Sequence, residues 1–261
     1  MRSNGGRMNK RKKIIWTVVG AAIILAAAGG CVFVYRSRAE PEIEAVITTD
    51  YVSIPAYTGR TFSAVEPQKV DDRYMDNLMS RMLETYNQIR GTDYESWTDE
   101  QVAYTTQGRY TSEEEWRDYL CEKYTEIERQ RAKADTGQSI LKEVSSEAVL
   151  FQFDENDYAA AEEDVTEQLI LGNGFTSREE FLQELEWSEN EYRDKVEEAV
   201  LENLKFDYVT QAIAEAEGLE SSEAELIEAE EEYGAEEMEG WKRAKTAENV
   251  REFLVDNNDI E

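Results

Sequence analysis

Paired carboxylates are the first residues in this chain whose type suits chemistry. Glu162, Glu163 and Asp164 stand together, and acids fill most of residues 228–232. A working acid/base pair needs one carboxyl held protonated by burial beside another left ionised. These acids sit in hydrophilic runs, among 58 Asp and Glu in 261 residues, where such pairs arise on solvated helix faces. A calcium loop starting at Asp154 fails: DENDYAAAEEDV places Ala159 where the turn needs Gly and Val165 where a bidentate Glu belongs. With no His in the chain there is no Ser-His-Asp or Cys-His system and no His-containing zinc or haem site. Gly-rich phosphate loops, CxxC and GxSxG are absent as well. The residues therefore point away from an enzyme, with no cofactor and no metal expected.

The two cysteines add little. Cys31 lies in an apolar run, so no intrachain disulfide with Cys121 is expected. Cys121 falls among Trp116, Leu120 and Tyr124 at helical spacing and reads as a small buried hydrophobe.

Charge is placed unevenly, and its placement predicts compartments. Arg2, Arg7, Lys10, Arg11, Lys12 and Lys13 occupy a tail, residues 1–13, that holds no acid. An uncharged run of 22 residues follows, beginning at Ile14 and ending at Tyr35. As a helix it is about 33 Å long, enough to cross a hydrocarbon core of about 30 Å. The cationic tail assigns the N-terminus to the cytoplasm and the rest of the chain to the outside of the cell membrane, as a single-pass signal anchor. A lipidated Cys31 is the alternative, although Ala28, Gly29 and Gly30 before it lack a large aliphatic residue. Of the 28 bases eight precede residue 39 and no acid does, so 20 bases face 58 acids in the outer part, a charge of −38. Such an acidic excess lacks the footprint of a nucleic-acid binder.

The outer part reads as mainly α. Residues 45–65 carry β-branched and aromatic side chains, Pro55 and a Thr58-Gly59 turn, which predicts one or two short strands. From Pro67 onward apolar residues recur at helical spacing. Tyr74, Leu78, Met82, Leu83, Tyr86 and Ile89 form one stripe, and Trp116, Leu120, Tyr124, Ile127, Ile140, Leu141 and Val144 another on a helix expected over 113–149. Tyr192, Val196, Val200, Leu204 and Tyr208 recur every four positions, continued by Ile213. Helix starts are signalled by capping boxes, in which a Ser or Thr and a Glu or Gln three residues on satisfy the first free amides reciprocally. They pair Thr98 with Gln101, Thr111 with Glu114, Thr176 with Glu179, Ser188 with Glu191 and Ser222 with Glu225. Stops are expected at Gly91, Gly108, residues 172–174 and Gly218.

Read in order, these marks resemble the trigger factor family. Residues 57–86, YTGRTFSAVEPQKVDDRYMDNLMSRMLETY, look like its segment of a short strand, a Tyr-x-Gly turn and an acid-capped helix. Residues 96–124, SWTDEQVAYTTQGRYTSEEEWRDYLCEKY, resemble the start of its C-terminal domain. Residues 169–218 are similar to that domain's paired arm helices, with Leu-x-x-Gly before a short helix and a long helix ending in Ile213-Ala214-Glu215-Ala216-Glu217. The resemblance covers residues 55–258. It departs from the family in one respect: only residues 87–96 stand where the FKBP-type prolyl isomerase domain would be inserted, and the ribosome-docking domain is replaced by the anchor.

What the resemblance implies is a SurA-like chaperone cradle with arms, over residues 55–261, following a linker at 36–54. Its function would be that of a holdase, binding unfolded or newly secreted polypeptides through apolar patches. Phe151, Phe153, Phe175, Phe181, Leu182, Leu185 and Trp187 are the expected contact residues. An adaptor gripping one envelope or secretion partner is the alternative, and a degenerate prolyl isomerase a third.

Overall fold

The computed structural model describes residues 45–235 and 237–261. The expected membrane helix, from Ile14 to Tyr35, lies outside the described residues; among these, no helix is long and apolar enough to cross a membrane. The described chain is mainly helical, with β1 (Ile47–Thr48), β2 (Val52–Ile54), β3 (Thr61–Phe62), α1 (Asp72–Arg90), α2 (Asp99–Thr105), α3 (Glu113–Glu147), β4 (Val149–Leu150), α4 (Glu155–Ile170), α5 (Arg178–Leu185), α6 (Glu189–Glu217), α7 (Glu223–Tyr233), α8 (Met238–Asp256) and β5 (Asp259–Ile260). Residues 45–65 thus hold three strands rather than one or two. Two of them, β1 and β2, fall inside the stretch expected to be linker.

The helix starts follow the capping logic, with one correction. Thr98, Ser188 and Ser222 each accept the amide of the residue three on and receive its side chain in return. At the other two sites the cap moves one residue along. Ser177, not Thr176, caps α5, and Ser112 stands in the same place before α3, accepting the amide of Glu115. In both cases the preceding Thr donates its amide and its hydroxyl to the Glu at N3, Glu180 or Glu115. The shared sequence Thr-Ser-x-x-Glu explains the shift: Ser occupies the cap and accepts the Glu amide, and Thr, one residue earlier, holds one oxygen of the Glu carboxylate. These bonds draw the Glu115, Glu180, Glu191 and Glu225 carboxyls below the ordinary glutamate pKa.

The chain divides into two compact units. One holds Thr61–Ser139 and Val255–Glu261. Its core lies between α1, α2 and the first half of α3. Met75, Met79 and Leu83 recur every four positions along α1 and pack with Trp97, Val102, Trp116 and Leu120. Trp97 meets Trp116 edge to face at 4.8 Å, and its indole N–H donates to the Met79 carbonyl at 3.0 Å. Buried Trp is tolerated where its one polar atom finds an acceptor, as here. Ile89, expected on the buried stripe, is 76% exposed, one turn past the end of this core. Cys121 is half-buried against the same cluster. β3 and β5 pair in parallel, Thr61 with Asp259 and Phe62 with Ile260.

The other unit holds residues 45–60 and Ile140–Leu254. β1, β2 and β4 form an antiparallel sheet in that order. α6 packs along α4 and against β1 and β2. The stripe Tyr192, Val196, Val200, Leu204, Tyr208 and Ile213 is buried along its whole length. Val52, Ile54, Ile140, Leu141, Val144 and Val165 of the same unit are buried as well. Burial of a Val, Leu or Ile side chain is worth about 1.5 to 3 kcal/mol, so this stripe is the main fastening of the unit. Tyr57 donates to Glu217 at 2.5 Å near the end of α6, and Arg60 spans Glu143 and Glu147 of α3 at 3.0 and 2.8 Å.

Candidate functional site

The seven side chains expected to touch a polypeptide separate into two groups, both within the second unit. The first is the turn between α4 and α6. α4 ends at Ile170, and Phe175 N–H returns to the Ile170 carbonyl at 3.0 Å across residues 171–174. Gly172 is required here by space, since a Cβ on it would lie 2.4 Å from the Gln168 carbonyl oxygen. α5 then folds back and ends at Glu186, whose left-handed φ of 59° turns Trp187 under the helix. Phe181, fully buried, sits at the centre. Phe175, Trp187 and Tyr192 all meet it edge-on, at centroid distances of 5.2, 5.5 and 5.9 Å. Arg178 lies over the Tyr192 ring and pairs with Glu189.

Here the expectation of exposed contact residues is corrected. Phe175 and Phe181 are buried, and Leu182, Leu185 and Trp187 are half-buried around them. A short helix has too little surface of its own to be stable, so the tip closes over its own aromatics. It is a miniature core, and Leu171 is the large apolar side chain it leaves open, at 55% exposure.

The second group lies where α3 gives way to the sheet. α3 stops at Glu147, and the chain runs straight into β4. Val52 faces Leu150 and Ser53 faces Val149, and the Phe151 N–H donates to the Tyr51 carbonyl at 2.8 Å. Alternation does the rest. Leu150 shares the inner face with Val52 and Ile54, while Val149 and Phe151 point out, 44% and 58% exposed. Phe153 is 40% exposed and stacks on Tyr158 of α4 at 5.0 Å. Val46, at the opposite border of the sheet, is also exposed.

A buried strut holds this surface in place. Tyr208 of α6 stacks on Tyr51 at 4.6 Å, accepts the Asp154 amide at 3.1 Å and donates to Asp157 at 2.7 Å. One hydroxyl thereby ties the end of the Phe-rich run to the first turn of α4, where Asp154 also caps the helix through the Asn156 amide. Burial, followed by the bond to Asp157, pushes the Tyr208 phenol up to about 12, so it remains a neutral donor. The periodicity marked Tyr208 only as core. Val149, Tyr158 and Tyr51 were not singled out, although the short uncharged run AVLFQF over residues 148–153, apolar except at Gln152 and rich in Val and Phe, is consistent with a strand.

Elsewhere in this unit a cavity of about 440 Å³ lies between α6, α7 and α8, lined by Asp207, Ser221, Glu239 and Arg243 among others. Burial raises the Asp207 carboxyl, and it also raises Glu202 and lowers the Lys205 amine on the same helix. Among the described residues no three His, Cys, Asp or Glu side chains converge to hold a metal ion. The site consists of exposed apolar side chains beside strand backbone. No protein-family model matches the chain, and a search of curated proteins finds no match.

Proposed function

We propose that this protein is a membrane-tethered chaperone of the holdase type, which keeps unfolded or newly secreted polypeptides from aggregating outside the cytoplasmic membrane. The observation that carries the reading is the exposure of Val149, Phe151 and Phe153 in one uncharged run beside a rigid core. In a chain that is 33% charged, three neighbouring large apolar side chains left in water mark a surface that meets another molecule. Their number suits a holdase, since a few weak apolar contacts hold a chain briefly and let it go. The acidic surface keeps such a protein soluble and favours basic or neutral client segments. The resemblance of residues 55–258 to the trigger factor C-terminal domain supports the same reading and supplies the cradle as its form. The hydrophobic run from Ile14 to Tyr35 supports the anchor.

The test is aggregation of a reduced, unfolded secreted protein, followed by light scattering. A fragment beginning at Ala39 suppresses scattering at near-stoichiometric ratio, and failure to suppress it at large molar excess refutes the proposal. Crosslinking in cells separates the holdase from an adaptor: many unrelated secreted chains are captured by the first, one or two stoichiometric partners by the second.

A further inference from the structure

We infer that the client is bound as an extended strand added to the free edge of β4, and that the bound segment is apolar with cationic residues at its ends. The inference rests on the holdase reading and deepens it. β4 is the border strand of its sheet, because the strand order is β1, β2, β4. Phe151 turns its N–H to Tyr51, so alternation along an antiparallel ladder turns the N–H and carbonyl groups of Leu150 and Gln152 away from β2, toward the open edge. Such an edge is a template for another strand, and proteins ordinarily blunt it with Lys, Pro, a bulge or a covering element. Residues 148–153 hold no charge, no Pro and no Gly. Outward-facing Val149 and Phe151, with Phe153 next along the chain, offer an incoming strand side-chain contacts at its own two-residue period.

Charge selects the occupant. Glu147 precedes the run, Asp154 and Glu155 follow it, and Asp50 is exposed in the turn beside Tyr51. Of the cations near the run, Arg60 pairs with Glu143 and Glu147, half-buried Lys205 donates to the Ser146 carbonyl, and Lys142 stands further back on α3. The border of the edge is therefore acidic. A second copy of this chain is disfavoured there, because antiparallel pairing of two β4 edges brings the acidic start of one run, at Glu147, toward the acidic end of the other, at Asp154 and Glu155, on top of the repulsion between two outer parts of charge −38. An apolar segment with Lys or Arg at its ends meets both the backbone edge and the border.

The experiment uses the full-length chain in lipid nanodiscs and three fluorescent peptides, read by anisotropy. The first alternates Val and Phe between Lys residues; the second replaces Lys by Glu; the third keeps Lys but carries N-methyl groups on every second backbone amide, which removes the ladder donors along one edge. The Lys peptide binds about tenfold more tightly than either of the others. On binding it slows exchange of the Leu150 and Gln152 amides. The double variant Phe151→Ser, Phe153→Ser, at two exposed positions, keeps the native circular dichroism and loses the binding. Equal affinity for the N-methylated peptide, or unchanged exchange at Leu150 and Gln152, overturns edge addition. Self-association of the chain that the double variant abolishes assigns the edge to a second copy and overturns it as well. Suppressed aggregation without peptide discrimination sinks this inference alone, whereas discrimination without suppression sinks only the holdase reading.

Discussion

Phe151 and Phe181 are the same residue type in neighbouring parts of one unit, yet one is 58% exposed and the other is fully buried. Both lie near helix ends and both looked like contact residues. The difference comes from what surrounds them. Phe181 sits on a helix between two turns, so Phe175, Trp187 and Tyr192 fold around it from three sides. Phe151 directly follows a border strand and continues its bonding to Tyr51, so alternation commits it to the outside, and the next element begins too soon to cover it. An aromatic at a turn makes its own enclosure, whereas an aromatic on an edge strand waits for a partner. That difference separates the structural tip from the candidate binding surface.

The comparison breaks most readily at Phe181. Phe181→Ala removes the centre of the tip and costs about 3 to 5 kcal/mol, read as a lower urea midpoint with early loss of Trp187 fluorescence. A change near zero would mean that the tip is not a core. Next comes the strut. Tyr208→Phe frees the Asp154 amide and Asp157 and costs about 1 to 2 kcal/mol, with faster amide exchange over residues 151–157. Its pH dependence has a definite sign. A phenol raised from 10.0 to about 12 in the fold contributes stability that is present below its unfolded pKa and is lost as pH rises toward the folded value. Tyr208→Phe removes that part of the alkaline loss, measured by tyrosinate absorbance alongside unfolding.

Smaller effects sharpen the contrast. Ser188→Ala takes the cap from α6 beside the tip and costs about 1 kcal/mol in the same urea titration. Acid works at the same place. The amides and hydroxyls of Thr176 and Ser188 hold Glu180 and Glu191 below 4.5, so their contribution is present above that value and fades as pH falls through the lowered ones. Exchange at the tip amides therefore rises in acid before exchange over 149–153, and the reverse order contradicts the assignment. The smallest change in stability is at the binding surface: Phe151→Ala stays within about 0.5 kcal/mol of the parent while weakening aggregation suppression. A large loss of stability there would make Phe151 a core residue and remove the comparison.

Much of this was legible beforehand. The α6 stripe was read correctly because a four-residue apolar period has one meaning in a long helix. The caps at Thr98, Ser188 and Ser222 held their register because the motif is local and its chemistry needs nothing beyond one turn. Where two candidate caps stood side by side, as at Thr111-Ser112 and Thr176-Ser177, pattern alone chose the wrong one. β4 and β5 escaped because two-residue strands exist only through their partners, Val52 and Ser53 for one, Thr61 and Phe62 for the other. Met75 and Met79 were passed over beside Tyr74 and Leu78, since a helix with apolar residues on adjacent rows does not reveal which row turns inward.

By itself the sequence determined what depends on near neighbours: the helices, most of their caps, the uncharged run before residue 36 and the exclusion of His-based chemistry. Tertiary structure alone decided which aromatics are covered. Phe151 and Phe181 carry the same apolar area, and the hydrophobic effect pulls equally on both. Whether the pull is satisfied depends on which elements reach each ring, and for Phe151 that was settled by a strand pairing with residues about a hundred positions away in the chain.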